Sequence, residues 1–218
     1  MKKSSLVVLI SGSGSNLQAI IDAINSQQLE AEIKTVISNQ VSAKGLDRAA
    51  SENITTHVID HNNYPSRELF DQAMIQVIDP LQPDLVVLAG FMRILGDEFI
   101  SHYQHRLINI HPSLLPKYKG LNTHQKAIDN KDKTHGASVH YVGIELDSGP
   151  VVIQAEIPVQ TIDTAETLAA RVLTVEHIIY PIAIKMHIDG RLKFDGQQLL
   201  LDNKPLIKPL MWNNDQLT

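Results

Sequence analysis

The run Leu6-Val7-Val8-Leu9-Ile10, followed at once by Ser11-Gly12-Ser13-Gly14-Ser15, narrows most what this chain can fold into. Consecutive apolar residues of this length read as a strand buried on both faces, as in a parallel sheet, rather than one with a solvated side. Leu17, Ile20, Ile21 and Ile24 then recur at helical spacing, with Ser15 or Asn16 as the expected N-cap. Strand, glycine turn and helix in that order bring free backbone N–H groups and the positive end of a helix dipole to the carboxyl end of a strand. A phosphate can be received there. A dinucleotide fingerprint would need a third glycine where Leu17 stands, and an acid at the end of the second strand, which reads Ser38-Asn39-Gln40. The P-loop pattern is absent too. A single phosphate or a mononucleotide therefore fits better than a nicotinamide cofactor, although a tight turn without a ligand has the same pattern.

The same punctuation continues along the chain. Ile33 to Ser38, Thr55 to Ile59, Asp84 to Ala89 and Arg106 to His111 read as further strands. Ala43 to Ser51 is helix-like. Pro65 sits where a first helical turn would start, ahead of the stripe Phe70, Ala73, Met74, Val77 and Ile78. Strands alternating with helices predict an α/β fold with a largely parallel sheet flanked by helices. The pattern changes after His111. The prolines of Pro112-Ser113-Leu114-Leu115-Pro116 lack N–H donors and exclude regular helix or central strand. A short helix over Thr123 to Ile128 is followed by two β-like runs, Ala137 to Val142 and Pro150 to Pro158, expected to be antiparallel with a long functional loop between them. Asp163 to Glu166 has the form of a capping box opening a long helix, which Pro181 is expected to kink and Gly190 to end. Phe194 to Leu201, turning at Asp195-Gly196, reads as a final hairpin. Residues 203–218 are expected to form a loosely ordered tail.

Composition excludes several classes of function. With no cysteine there is no thiolate metal site, disulfide or Cys nucleophile. A net charge of -5, with no block of like charge, does not indicate a nucleic-acid surface. The start Met1-Lys2-Lys3 has the charge of a signal peptide, but the apolar run after it is too short, and no stretch is expected to reach the roughly 18 apolar residues of a membrane span. The histidines His124, His135 and His140 lack metal-ligand spacing and are read as structural.

Leu107-Ile108-Asn109-Ile110-His111-Pro112 carries the most chemistry. Residues two apart on a strand point to one side, so Asn109 and His111 would face one site at the strand's carboxyl end. An amide and an imidazolium are two donors able to hold an oxyanion, and the imidazole can also move a proton. Two polar residues satisfied at a strand end have the same pattern. A carboxylate beside His111 would orient its ring and favour the charged form. Asp147, within Glu145-Leu146-Asp147-Ser148-Gly149-Pro150, is a candidate, but it lies 36 positions away and Asp also caps turns before Gly-Pro. Glu176, in the long helix, either faces the site or the solvent.

Taken together, Ser11-Gly12-Ser13-Gly14-Ser15-Asn16-Leu17-Gln18-Ala19-Ile20, Leu88-Ala89-Gly90-Phe91-Met92-Arg93-Ile94-Leu95, Asn109-Ile110-His111-Pro112-Ser113-Leu114-Leu115-Pro116, Glu145 to Pro150 and Glu176-His177-Ile178-Ile179-Tyr180-Pro181 resemble the phosphoribosylglycinamide formyltransferases. These are folate-dependent enzymes of purine synthesis. The resemblance implies a Rossmann-like formyltransferase fold over residues 1–202, with a phosphate- and nucleotide-binding half at 1–111 and a folate-binding and catalytic half, carrying antiparallel strands, at 112–202. It implies formyl transfer from 10-formyltetrahydrofolate to the glycinamide amine, with Asn109 and His111 holding the oxyanion and Asp147 keeping His111 protonated. It assigns Ser13, Gly14, Ser15 and Asn16 to the phosphate, and Gly90, Pro112 and Glu176 to the glycinamide. Arg67, Met92, Arg93, Ile94, Leu95, Asn109, Ile144 and Asp147 would receive the folate. No metal and no tightly bound cofactor is implied; 10-formyltetrahydrofolate is a co-substrate. The partners expected are small molecules, with no nucleic acid and no membrane, for a cytoplasmic monomer or weak homodimer. Lys119 and Asn122 depart from the Pro and His that often stand at these positions.

Two relatives of this chemistry fit less well. Formyl transfer to methionyl-tRNA shares Asn-x-His and Asp but calls for a further domain and a basic surface. A formyltetrahydrofolate hydrolase usually carries an additional N-terminal domain. A flavin-binding module is the non-enzyme alternative; flavin sites stack aromatic rings, and the single tryptophan here is Trp212, near the C-terminus.

Overall fold

The computed structural model describes residues 3–195, 198–213 and 216–218. The chain divides into two compact units, Met1–Asn109 and Ile110–Thr218.

In unit 1 the first apolar run is β1 (Ser4–Ile10), whose Leu6 to Ile10 are fully buried. It is followed by α1 (Ser15–Asn25), β2 (Ala31–Ser38), α2 (Gly45–Ser51), β3 (Thr56–Val58), α3 (Arg67–Ile78), β4 (Leu85–Leu88), α4 (Asp97–His102) and β5 (Leu107–His111). β1 pairs in parallel with β2 on one side and β4 on the other, so that Leu6 lies opposite both Ile33 and Leu85. β3 extends the sheet beyond β2, and β5 beyond β4 through Leu107 to Asn109. The order β5-β4-β1-β2-β3, all parallel with connecting helices, is that of a Rossmann-like sheet.

Two local expectations in this unit are corrected, and one further helix is present. Gly14, not Ser15 or Asn16, is the N-cap of α1, and it makes no side-chain cap bond. It stands at φ 70°, and a Cβ there would lie 2.5 Å from the Gly45 Cα. The turn therefore needs glycine both for its left-handed backbone and for the close approach of α2. Ser66 caps α3, its hydroxyl accepting from the Leu69 N–H at 3.3 Å, which leaves Pro65 before the helix rather than in its first turn. Helix α4 went unread because it has six residues and buries only Phe99 and Ile100, too few for a period.

Unit 2 contains α5 (Thr123–Asp129), β6 (Thr134–Tyr141), β7 (Val151–Pro158), α6 (Ala165–Ile188), β8 (Leu192–Phe194), β9 (Leu199–Leu201), β10 (Lys204–Pro205), β11 (Leu210–Asn213) and β12 (Gln216–Leu217). β6 and β7 are antiparallel, as expected, with Ala137 opposite Ala155. The capping box that opens α6 is Thr164 with Thr167, one residue later than Asp163 to Glu166. Asp163 instead accepts from the Gln160 N–H and from Arg171. Pro181 lies inside α6 without ending it, and Gly190, at φ 69°, follows the Asp189 C-cap.

Against expectation, α6 is long and apolar enough to cross a membrane by length and composition. Leu168, Val172, Ile179, Tyr180, Ala183 and Ile184 are nevertheless fully buried, and the helix packs on β6 and β7. It is a core helix of this unit. β8 and β9 form the expected hairpin; Gly196 of its turn lies outside the described residues.

The C-terminal segment is also corrected. β11 pairs in parallel with β7, placing Leu210 opposite Ile153 and Trp212 opposite Ala155, and β12 returns on β11. An uncovered edge of β7 would leave a row of unpaired N–H and C=O groups, and the tail meets that demand. Trp212 is half-buried there, and its fluorescence reports the tail. We expect its emission to be blue-shifted in native buffer, and its change in urea to coincide with the loss of far-UV circular dichroism. Solvent-like emission before unfolding would show that the tail does not pair.

Candidate active site

The loop between β1 and α1 is held by its own carbonyls. Gly12 O accepts from the Gly45 N–H (3.0 Å), Ser13 O from Arg48 Nε (2.8 Å) and Gly14 O from the Gln18 N–H (2.9 Å). Arg48 Nη1 also donates to Gln18 Oε1. Carbonyls repel an anion, so engaging these three with donors suits the loop to negative charge. Ser13 is exposed, Ser15 half-buried, and Gly14 and Asn16 buried. Gly45 and Arg48 were not singled out in the sequence, since nothing in Lys44-Gly45 or Arg48 alone points to a loop some thirty positions earlier.

Further along unit 1, Gly90 turns the chain after β4 at φ 76°. Met92 and Ile94 are 72% and 54% exposed, whereas Leu95 is buried and the Arg93 guanidinium stacks on Phe70 at 4.8 Å. Arg67, the first residue of α3, is exposed.

At the end of β5, Asn109 is half-buried and His111 buried. His111 Nδ1 lies 3.5 Å from Asp147 Oδ1, and His111 Nε2 lies 2.9 Å from the Tyr118 carbonyl oxygen. Asp147 Oδ2 accepts from the Gly120 N–H at 2.7 Å. Spacing alone could not establish the His111–Asp147 contact. It arises because β6 and β7 close a tight loop. Tyr141 N–H donates to Pro150 O, Gly143 N–H to Ser148 O, and Ser148 Oγ to Glu145 O. Gly149, at φ 106°, has no room for a Cβ, which would come 2.3 Å from Tyr141 O. Asp147 itself adopts φ 44°, a left-handed conformation that Asp and Asn tolerate better than most residues. Ile144 is exposed on this loop, Pro112 half-buried after β5, and Glu176 buried on α6.

Of the remaining histidines of unit 2, His135 and His140 are buried, and His124, His177 and His187 half-buried. His140 Nδ1 lies 2.9 Å from Tyr141 O, and burial holds its pKa below the usual imidazole value against the pull of Asp147. His135 Nε2 meets His124 Nδ1 at 3.1 Å. Burial, and then the neighbouring His124, lower His135 to about 4. Asn122, at φ 60°, is the left-handed N-cap of α5, a position that suits Asn. Among the described residues, no group of three or more His, Asp or Glu is placed to hold a metal ion.

A buried imidazole set between a carboxylate and a peptide carbonyl, preceded two residues earlier on the same strand by an amide, is an arrangement for stabilising an oxyanion and moving a proton. Comparisons with known proteins place the chain in a family. Residues 4–184 match the formyl transferase family, and the chain belongs to that family. It is 52% identical over 202 residues to the phosphoribosylglycinamide formyltransferase of Escherichia coli (strain K12), covering 93% of this chain and 95% of that protein. The enzyme of the same name from Haemophilus influenzae is 44% identical, with 95% of this chain and 97% of that protein covered. The solved phosphoribosylglycinamide formyltransferase of Coxiella burnetii matches with a TM-score of 0.89 at 51% identity, over 94% of this chain and 96% of that one.

The depressed pKa of His135 has a signed consequence. Between the ordinary imidazole value of 6.5 and about 4, the unfolded chain binds a proton that the folded chain refuses. Stability must therefore fall as pH drops through that window and level off below it. We expect the melting temperature of His135→Gln to fall less steeply from pH 6.5 to 4 than that of the wild type. Parallel profiles would assign the acid sensitivity elsewhere.

Proposed function

We propose that this chain transfers the formyl group of 10-formyltetrahydrofolate to the amine of N1-(5-phospho-D-ribosyl)glycinamide, a step of purine biosynthesis, giving the N-formyl product and tetrahydrofolate. The observation that carries the reading is the contact of His111 with Asp147. Two oxygen acceptors flank the ring, and only a ring with N–H on both nitrogens serves both.

In the proposed mechanism the substrate amine attacks the formyl carbon, and the carbonyl oxygen takes up the displaced electron pair. An oxyanion is a stronger acceptor than a peptide carbonyl, so the His111 Nε2–H gains by leaving Tyr118 O for it, with the Asn109 amide as second donor. Asp147 orients the His111 ring from its Nδ1 side. The amine proton passes through water, and the tetrahedral centre collapses with cleavage of the bond to the folate nitrogen, which leaves protonated.

Ser13, Gly14, Ser15 and Asn16 hold the phosphate, a role supported by the engaged carbonyls of their loop. Gly90, Pro112 and Glu176 hold the glycinamide. Arg67, Met92 to Leu95, Asn109, Ile144 and Asp147 receive the folate; the exposed side chains of Met92, Ile94 and Ile144 offer apolar surface to a flat heterocycle. The partners are small molecules alone, with no nucleic acid, membrane or tightly bound cofactor, and the protein works in the cytoplasm as a monomer or weak homodimer.

Purified protein given both substrates should deformylate the folate only when the ribonucleotide is present; equal turnover in water alone would sink the transferase reading. Asp147→Asn keeps a residue that accepts φ 44°, and should fold with a near-native melting temperature while kcat falls about 10²–10³-fold. His111→Ala should lose as much, and wild-type kcat in either variant overturns the site. Gly14→Ala should raise KM for the ribonucleotide and leave that for the folate unchanged; the reverse pattern would move the phosphate away from this loop.

A further inference from the structure

The segment from Met92 to Leu95 has an unusual combination of properties. It carries two large apolar side chains in solvent, Met92 and Ile94, yet lies between a left-handed glycine and a helix start. Exposed apolar loops ordinarily relax until those side chains find cover. Here the backbone is fixed at both ends by side chains from elsewhere in unit 1. The Met92 N–H donates to Ser11 Oγ at 2.7 Å, and the Gly96 N–H donates to Asp71 Oδ2 at 2.6 Å.

Both acceptors are themselves constrained. A hydroxyl has one proton, and that of Ser11 is spent on Asn39 Oδ1 at 2.5 Å, so an oxygen lone pair is left facing Met92. Asn39 is buried, and its amide nitrogen meets His61 Nδ1 at 3.3 Å. The backbone of Ser11 adds a second tie, its N–H donating to Gly90 O at 3.2 Å. At the other end Asp71 is 2% exposed on α3, and its Oδ1 makes no hydrogen bond to the described residues. A buried carboxylate is costly to desolvate. This one is retained with a single backbone donor, beside Arg93, whose guanidinium covers Phe70 one position before Asp71. The bond to Gly96 is short and charge-assisted, the stronger kind.

We propose that Ser11 and Asp71 are positioning residues for the folate: they clamp the two ends of the Met92–Leu95 segment, so that its exposed apolar face is formed before the ligand arrives. The inference rests on the reading that this segment receives the folate. Preorganisation lowers the ordering cost of binding, so its loss appears in affinity rather than in the chemical step. The phosphate loop does not need the Ser11 hydroxyl, because Gly12 and Ser13 are anchored separately by Gly45 and Arg48.

The test is steady-state kinetics on the full chain with amide hydrogen exchange alongside. Ser11→Ala removes the acceptor of Met92, and we expect KM for 10-formyltetrahydrofolate to rise about five- to tenfold, the worth of one hydrogen bond. Both kcat and KM for the ribonucleotide should stay within about twofold, and exchange at the Met92 amide should quicken in the folded protein. Ser11→Thr, which keeps the hydroxyl, should restore the folate KM. Asp71→Ala should act in the same direction, with faster exchange at Gly96, and Asp71→Asn, which keeps an acceptor, should recover most of it. If Asp71→Ala does not fold, the comparison of Asp71→Asn with Ser11→Ala decides.

A Met92→Ala, Ile94→Ala variant separates the two layers of the argument. If it raises the folate KM while Ser11→Ala leaves it unchanged, the segment binds folate but is not clamped, and the proposal is overturned. If it leaves the folate KM unchanged, the folate reading of the segment falls, and the proposal with it. A Ser11→Ala variant that raises both KM values equally, with a lower melting temperature, would make the residue structural and overturn the proposal as well.

Discussion

A strand buried on both faces has to hand every backbone N–H and C=O to its neighbours, because no water is there to take them. β1 meets that demand through β2 and β4, and Asp84 N–H extends the pairing to Ser5 O at the strand's start. At the other end the demand stops being met by sheet alone. Ala89 N–H still reaches Leu9 O and Ser11 N–H reaches Gly90 O, but beyond Ile10 the chain turns away and side chains take over. The Ser11 hydroxyl, Arg48 and the Gly45 amide are the replacements, and each fixes a loop as it satisfies a backbone group. The loops of unit 1 to which the proposed function gives the ligands begin where the sheet's own hydrogen bonding ends, which is the physical content of the rule that open parallel sheets bind ligands at their carboxyl edge.

Unit 2 surrounds His111 and Asp147 with left-handed backbone. Tyr118, Gly120, Asn122, Asp147 and Gly149 all have positive φ, and non-glycine residues there cost of order 1 kcal/mol or more each. Such strain persists only where the surroundings over-determine it. The 117–122 stretch is tied at Ser113 Oγ, which donates to Lys117 O, and by Tyr118 OH and Lys117 Nζ on Asp132. The 143–149 loop is tied by Ser148 and by the closing pair Tyr141–Pro150. The Lys117–Asp132 pair is exposed on its lysine side, so its share is small; the backbone bonds do most of the holding.

How much of this was readable in the sequence follows from the range of each interaction. Asn109 and His111 sit two apart on one strand, and the period of a strand is local, so their shared side was legible. So were β1, its glycine turn and the antiparallel β6 and β7, each marked by a run and a break. The partnership of His111 with Asp147 came only from the family resemblance and from no local pattern, because it depends on the register of β6 against β7, including a shift between Val139 and His140. Register is set by packing and loop closure, which no local pattern records. Caps missed by one residue, as at Gly14 and Thr164, failed for a related reason: several polar residues stood within reach, and the turn geometry chose among them. β11 was missed because its demand comes from β7, some sixty positions earlier, and not from its own four residues. Ser11 and Asp71 carried no signal at all, a serine in a serine-rich turn and an acid on an ordinary helix.

The contact between His111 and Asp147 then has a second meaning. His111 Nε2 holds the carbonyl of Tyr118 while Asp147 Oδ2 holds the N–H of Gly120, so the pair bridges the two strained loops of unit 2 as well as orienting an imidazole. A group that also ties its surroundings together moves only when they move. In the proposed mechanism, where Nε2–H turns from Tyr118 O to a developing oxyanion, the 117–122 stretch loses one of its ties while Asp147 keeps the Gly120 N–H. The loop is therefore released at one residue and retained two positions further on. The proposed clamp on Met92 to Leu95 works the opposite way: both of its ends rest on side chains, Ser11 and Asp71, to which the proposed mechanism gives no part. In this reading one segment is held so that it need not change, and the other is held by the group to which the proposed mechanism gives the chemistry. Strain and exposed apolar surface, which would each destabilise an ordinary loop, are tolerated in this fold for those two different reasons.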